Sequence, residues 1–150
     1  MAEEFIRVLY NARYGQYNIS QEAFEEFNKR VEKKYEYSDD LSYGIKNRTN
    51  DIILEVYDLL GSERFSGEYA NIRDKKIKAE YKDFIRIKEY DGHEIVNVNL
   101  HDYKIYSILK SEEMSEVEKI KELKIYYGLE PNDKGEIKKC NYGEVYFDDN

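Results

Sequence analysis

At 150 residues, with 37% charged side chains and a net charge of −8, the chain is long enough for one domain with a real core. It is too acidic for a general DNA- or RNA-backbone binder, which needs a basic face. A single cysteine, Cys140, excludes an intrachain disulfide, and no apolar run is long enough to cross a bilayer or form a signal-peptide core. A soluble intracellular protein with an inert thiol and no membrane partner is expected. The 16 tyrosines supply much of the 41% apolar fraction, so many rings should be half-buried with their hydroxyls in water.

In chain order, Phe5 to Tyr10 has the β-branched and aromatic mix of a strand, and Asn11 to Ser20 reads as a polar loop. Ser20 is the expected N-cap of a helix carrying Phe24, Phe27 and Val31 at helical spacing. Residues 35–47 are punctuated by Asp39, Asp40, Ser42, Gly44 and Asn47 and read as irregular. Asn50 then caps the clearest helix. Asp51 sits in its first turn, Ile53, Val56, Tyr57 and Leu60 form its stripe, and Gly61 is its stop. Arg64 to Glu68 reads as a loop, and Tyr69 to Ile77 as a strand.

Phe84 to Leu100 reads as a β-hairpin, because Asp91-Gly92 is a two-residue turn signal that places φ > 0 at both central positions. That turn sets Ile87 against Val96 and Ile85 against Val98, both on one apolar face. The same register sets Glu89 opposite Glu94 on that face. Opposed buried carboxylates repel, so a cation is expected between them: an arginine, a metal or a ligand. Tyr103 to Leu109 fits helix or strand. Ser115 and Glu118 form a capping box, with a stripe of Val117, Ile120, Leu123 and Tyr127 running to Gly128. Pro131 to Gly135 marks a turn, and Ile137 to Phe147 a short hairpin. The expected fold is α+β: a small, mostly antiparallel sheet with two helices on one face, plus a C-terminal helix. Residues 1–110 would form the core, and 111–150 a C-terminal extension of the same domain.

Several residues stand out as candidates. Arg13-Tyr14-Gly15 lies between a strand and a helix, where a glycine lets backbone approach a ligand, or simply turns the chain. Arg48 and Asn50 precede the best helix. Arg48 is either a bidentate anion ligand or a surface residue beside a cap. Glu89 and Glu94 complete the set. His93 and His101 lack metal-ligand spacing, and no Walker, G-x-S-x-G or H-E-x-x-H pattern appears, so no metal and no cofactor is expected.

Four segments together resemble a family of uncharacterised small proteins encoded by tailed phages and large DNA viruses. That family has a strand ending in Tyr-Gly-Gly-Phe-Ser-Leu-Ser, a helix opened by Arg-x-Asp-Pro-x-Leu, a glycine-containing loop, and Glu-Tyr-Asp-Gly-x-Glu. Here they read Tyr14-Gly15-Gln16-Tyr17-Asn18-Ile19-Ser20, Arg48-Thr49-Asn50-Asp51-Ile52-Ile53-Leu54, Ser66-Gly67-Glu68-Tyr69 and Glu89-Tyr90-Asp91-Gly92-His93-Glu94. Gln16 departs from the second glycine, Asn50 from the aspartate and Asp51 from the proline. The resemblance covers about residues 5–100. It implies a viral accessory protein in the host cytoplasm, and carries no activity with it. The leading expectation is a binder of a small phosphate-bearing or nucleotide-like ligand, in a pocket of Arg13, Tyr14, Gly15, Arg48, Asn50, Glu89 and Glu94, with sequestration of a host defence signal as one form. The alternatives are an acidic module that docks on a host protein, and a hydrolase or transferase using Glu89 or Glu94 as general base.

Overall fold

The computed structural model describes residues 2–37, 45–137 and 145–146. The fold is α+β. Strand β1 (Phe5–Asn11) leads into α1 (Gln21–Arg30), a five-residue α2 (Ile45–Thr49) and α3 (Asp51–Phe65). Strand β2 (Ile72–Lys78), a 3-10 segment (Ala79–Phe84), and strands β3 (Ile85–Tyr90) and β4 (His93–Val98) follow. Helices α4 (Leu100–Lys110) and α5 (Glu116–Tyr126) and the two-residue β5 (Val145–Tyr146) complete the described elements. The strands divide between two sheets rather than sharing the single sheet expected: β1-β2, and β3-β4-β5.

Two compact units emerge. The first runs to Asn97 and takes in Tyr146; the second is Val98–Val145. The boundary falls before α4, not at residue 110, because α4 packs on α5. In the first unit β1 and β2 pair antiparallel, from Phe5 opposite Lys78 to Asn11 opposite Ile72. Leu9 and Ile72 join Phe24 and Phe27 of α1 and Ile53, Val56, Leu60 and Phe65 of α3 in one buried cluster. The stripes of both helices therefore face one core, as their spacing requires. No described helix is long and apolar enough to cross a membrane.

Local chemistry explains the helix ends. Ser20 Oγ accepts the Ala23 amide at 3.1 Å, and Asn50 Oδ1 accepts Ile52 N at 2.9 Å. Val31, expected in the stripe of α1, lies just past its end. Gly61 has φ +76 and interrupts α3 as a stop would, but one more turn follows and buries Phe65. The expected loop at Arg64 is thus partly helical. Helix α2 was not expected: its sequence is polar and punctuated, and packing against β1 holds it in place of intrinsic propensity. Residues 38–44 of that irregular stretch, most of the expected C-terminal hairpin, and Cys140 lie outside the described residues.

In the second unit Tyr103 to Leu109 takes the helical of its two expected forms, and Ser115 Oγ accepts Glu118 N, the cap expected of a capping box. The stripe on α5 does not turn inward: Val117 and Ile120 are 78% and 54% exposed, and no residue of α5 is buried.

Because Asn50 acts here as a cap, Asn50→Ala should lower stability by about 1 kcal/mol, while Asn50→Asp, which keeps the acceptor oxygen, should be nearly neutral. Thermal unfolding of both variants checks this. Equal losses would show that the side chain does something other than capping.

Candidate functional site

The site is built where β1 ends. Asn11 is fully buried and joins three segments. Its amide nitrogen Nδ2 donates to the carbonyls of Arg13 and Gly92, both at 2.9 Å, and its Oδ1 accepts the Asn71 amide at 2.9 Å. Its backbone amide donates to Glu94 Oε1 at 2.8 Å. The same oxygen accepts Arg48 Nη1 at 2.5 Å. Arg48 and Glu94 are only 6% and 5% exposed. A buried carboxylate with two donors, one of them cationic, is the arrangement in which burying charge is tolerated.

Tyr17 closes the cluster. The Arg48 guanidinium carbon lies 3.9 Å from the centre of its ring, a cation–π contact in a dry setting. Burial pushes the Tyr17 hydroxyl well above the ordinary tyrosine range; the Arg48 charge opposes that shift and the Glu94 charge adds to it.

Next to this cluster, two turns interlock. Asp91 and Gly92 both have positive φ, as the hairpin turn requires. Gly15 N donates to Asp91 O at 2.7 Å. A Cβ at Gly92 would fall 1.1 Å from the Gly15 carbonyl oxygen, and one at Gly15 would fall 2.6 Å from the Tyr69 carbonyl oxygen. These glycines let backbone approach backbone. The Gly15 amide is therefore engaged within the fold, which corrects the expectation that this turn offers it to a ligand. The Ser66-Gly67 segment joins the same assembly, with Gly67 N donating to Asn18 O at 3.0 Å.

The candidate residues thus fall into two groups. Arg48 and Glu94 meet inside the fold. Asn50 is a helix cap. Arg13, Tyr14 and Gly15 lie at the surface, with Tyr14 in ring contact with Tyr90 and His93 at 6.4 and 5.6 Å between centroids. Glu89 is the correction: it is exposed and does not face Glu94 across a buried layer. Burial along β3 fades from Ile85 through Ile87 to Glu89, while Glu94 on β4 stays buried. Glu89 instead accepts the Gly92 amide at 3.1 Å, bracing the turn. Only one buried carboxylate needed a cation.

Sequence reasoning missed Asn11, Tyr17, Tyr69 and Tyr90. Asn11 carried a signal: it ends a strand at the same parity as the buried Leu9, so a polar side chain was due on the covered face. At the surface, Tyr14, Tyr69 and Tyr90 are 65%, 63% and 71% exposed; Tyr14 and Tyr90 are in ring contact, and Tyr69 lies against Gly15 through its carbonyl and Cβ. Among the described residues Arg13 has no ion-pair partner. An exposed arginine next in the chain to an exposed ring pair supplies the groups that receive an anion and a planar group.

Elsewhere, a groove of about 440 Å³ is lined by Phe5, Ile6, Arg7, Asp51, Leu54 and Asp58. Its arginine is neutralised: Arg7 bonds Asp58 through both terminal nitrogens at 2.8 and 2.6 Å and Asp74 through Nε at 2.8 Å. Arg7 holds the Asp58 carboxyl below its usual range. Among the described residues no three His, Cys, Asp or Glu side chains gather as a metal site.

Two expectations follow. Arg48→Met should destabilise by about 3–5 kcal/mol, by stranding a buried carboxylate. The double variant Arg48→Met/Glu94→Gln should lose clearly less than the sum of the single losses, as denaturant titrations of the four proteins will read; additive losses would deny the pairing. For Tyr17, the folded-state value lies above the unfolded value of about 10, so its contribution is complete below about pH 10 and disappears as pH rises through and beyond it. Above about pH 10 wild-type stability should fall more steeply than that of Tyr17→Phe, by up to about 1.4 kcal/mol per pH unit, with parallel curves below. Equal slopes would contradict the burial of a neutral hydroxyl.

Searches against protein-family models, curated proteins and solved structures find no match to this chain.

Proposed function

We propose that the chain is a viral accessory protein that binds a small phosphate-bearing, nucleotide-like ligand on the face formed by Arg13, Tyr14, Tyr69 and Tyr90. The observation that carries this reading is the set of three largely exposed tyrosines on segments that meet at one backbone junction, with an arginine next to Tyr14 in the chain that has no ion-pair partner among the described residues. Scattered exposed rings need no explanation, whereas exposed tyrosines carried by three segments that meet at one backbone junction form a surface. Base–aromatic stacking contributes about 1–3 kcal/mol per base, and an arginine adds charge-assisted bonds to phosphate. Sequestering a signalling nucleotide of the host is the concrete form. The resemblance of the motif segments to viral proteins supports that setting.

Binding fits better than catalysis. The bonded oxygen of Glu94 already receives an arginine and a backbone amide, and the residue is almost wholly covered, so it is a poor general base for a substrate arriving from solvent. Glu89 is exposed and occupied with its own turn. A second reading draws on the same face: tyrosine and arginine are the residue types that anchor protein interfaces, and a chain of net charge −8 suits a basic host protein.

Titration calorimetry against a panel of mono-, di- and cyclic nucleotides tests the proposal. Tyr14→Ala and Arg13→Ala should each weaken the best ligand tenfold or more while leaving the melting temperature within about 1–2 °C, since both side chains are exposed. If no nucleotide gives heat at millimolar concentration, the small-ligand reading falls and protein docking takes its place.

A further inference from the structure

We infer that the exposed face of α5 is a self-association surface, which pairs with α5 of a second copy of the chain in an antiparallel, two-fold arrangement. The starting point is a small core. Within the second unit the fully covered apolar residues among those described are Val98 and Ile108, whereas Tyr106, Leu109, Val117, Ile120, Tyr127, Leu129 and Ile137 are exposed. The two eleven-residue helices meet through the stacked His101 and Tyr126 rings and the 3.1 Å hydrogen bond between them, which leaves the side of α5 that carries Val117 and Ile120 exposed. The side of α5 turned toward α4 already has an occupant, since Lys119 Nζ reaches the Leu109 carbonyl at 3.0 Å. The other side carries Val117 and Ile120.

The charge order on α5 selects the occupant. Its first turn is acidic, with Glu116 and Glu118, and its last turn carries Lys124. A second α5 lying parallel would set Glu116 against Glu116 and Lys124 against Lys124. Lying antiparallel about a two-fold axis at Ile120, it sets Glu116 against Lys124 of the second copy, with the two Ile120 side chains meeting on the axis and the exposed Val117 beside them. Each contact occurs twice, as an isologous interface requires. The ion pairs that must open are weak ones: Glu116 lies 3.8 Å from Lys119, and Lys124 lies 3.5 Å from a partly exposed Glu130. The face belongs to the second unit and the tyrosines to the first, so this inference does not rest on the ligand reading.

Sedimentation equilibrium of the full chain is the test. The expected result is a dimer of twice the 18.0 kDa chain mass. Glu116→Lys and Lys124→Glu should each weaken association about tenfold, because each converts two attractive contacts into repulsive ones. The double variant Glu116→Lys/Lys124→Glu exchanges the partners and should restore it to near the parent strength. Ile120→Asp should give a monomer. Circular dichroism on every variant establishes that helix content is kept; if Ile120→Asp loses helix, the charge series decides alone. A chain that stays monomeric at its highest soluble concentration, or a dimer indifferent to both charge reversals, overturns the proposal.

Discussion

One oxygen atom organises the first unit. Glu94 Oε1 accepts the Asn11 amide from the end of β1 and the Arg48 guanidinium from α2, while Glu94 itself belongs to β4. Three elements distant in sequence are thereby brought to one point, and Asn11 extends the connection to the hairpin turn and to the start of β2. A buried carboxylate without these donors would be a severe penalty, so any arrangement that moves β1, α2 or the hairpin apart exposes an uncompensated charge. This specifies position. Burial of the Phe24, Val56 and Phe65 cluster drives collapse, but apolar contacts alone tolerate sliding; hydrogen bonds with fixed geometry do not.

The segments that stand out in the sequence divide their labour accordingly. Arg48, Glu94, Gly15 and Gly92 fasten loops together from within, and Tyr14, Tyr69 and Tyr90 are what those fastened loops present outward. Side chains on loops keep a fixed arrangement only if the loops are held, and here the same short motifs supply both the fastener and the exposed rings. The path from sequence to function therefore runs through backbone proximity: a positive-φ turn brings Gly92 onto Gly15, and that contact sets Tyr14 beside Tyr90.

Much of this was legible in the residues because the signals were local. Asp91-Gly92, the caps Ser20, Asn50 and Ser115, and the stripes of α1 and α3 each act over a few positions and were read correctly. What escaped depends on distant cover. The alternation that buries Glu94 also places Glu89 on that face, but alternation gives no depth, and β3 is exposed near its turn. Helix α2 owes its existence to β1, and its own composition conceals it. The stripe of α5 has helical period in the sequence yet lies exposed, since periodicity reports which residues share a side and not what lies opposite.

The Gly15–Gly92 contact has a consequence for how this chain can change over time. Most tight packings can drift, because a larger residue on one side is balanced by a smaller one on the other. Here a side chain at position 92 would collide with a main-chain oxygen, and the residue that owns this oxygen is already glycine. No second-site replacement can make room, short of moving a whole loop. The two turns are thus a ratchet in sequence space: the exposed tyrosines near them are free to vary in chemistry, while the backbone junction that presents them has no neighbouring alternative to move to.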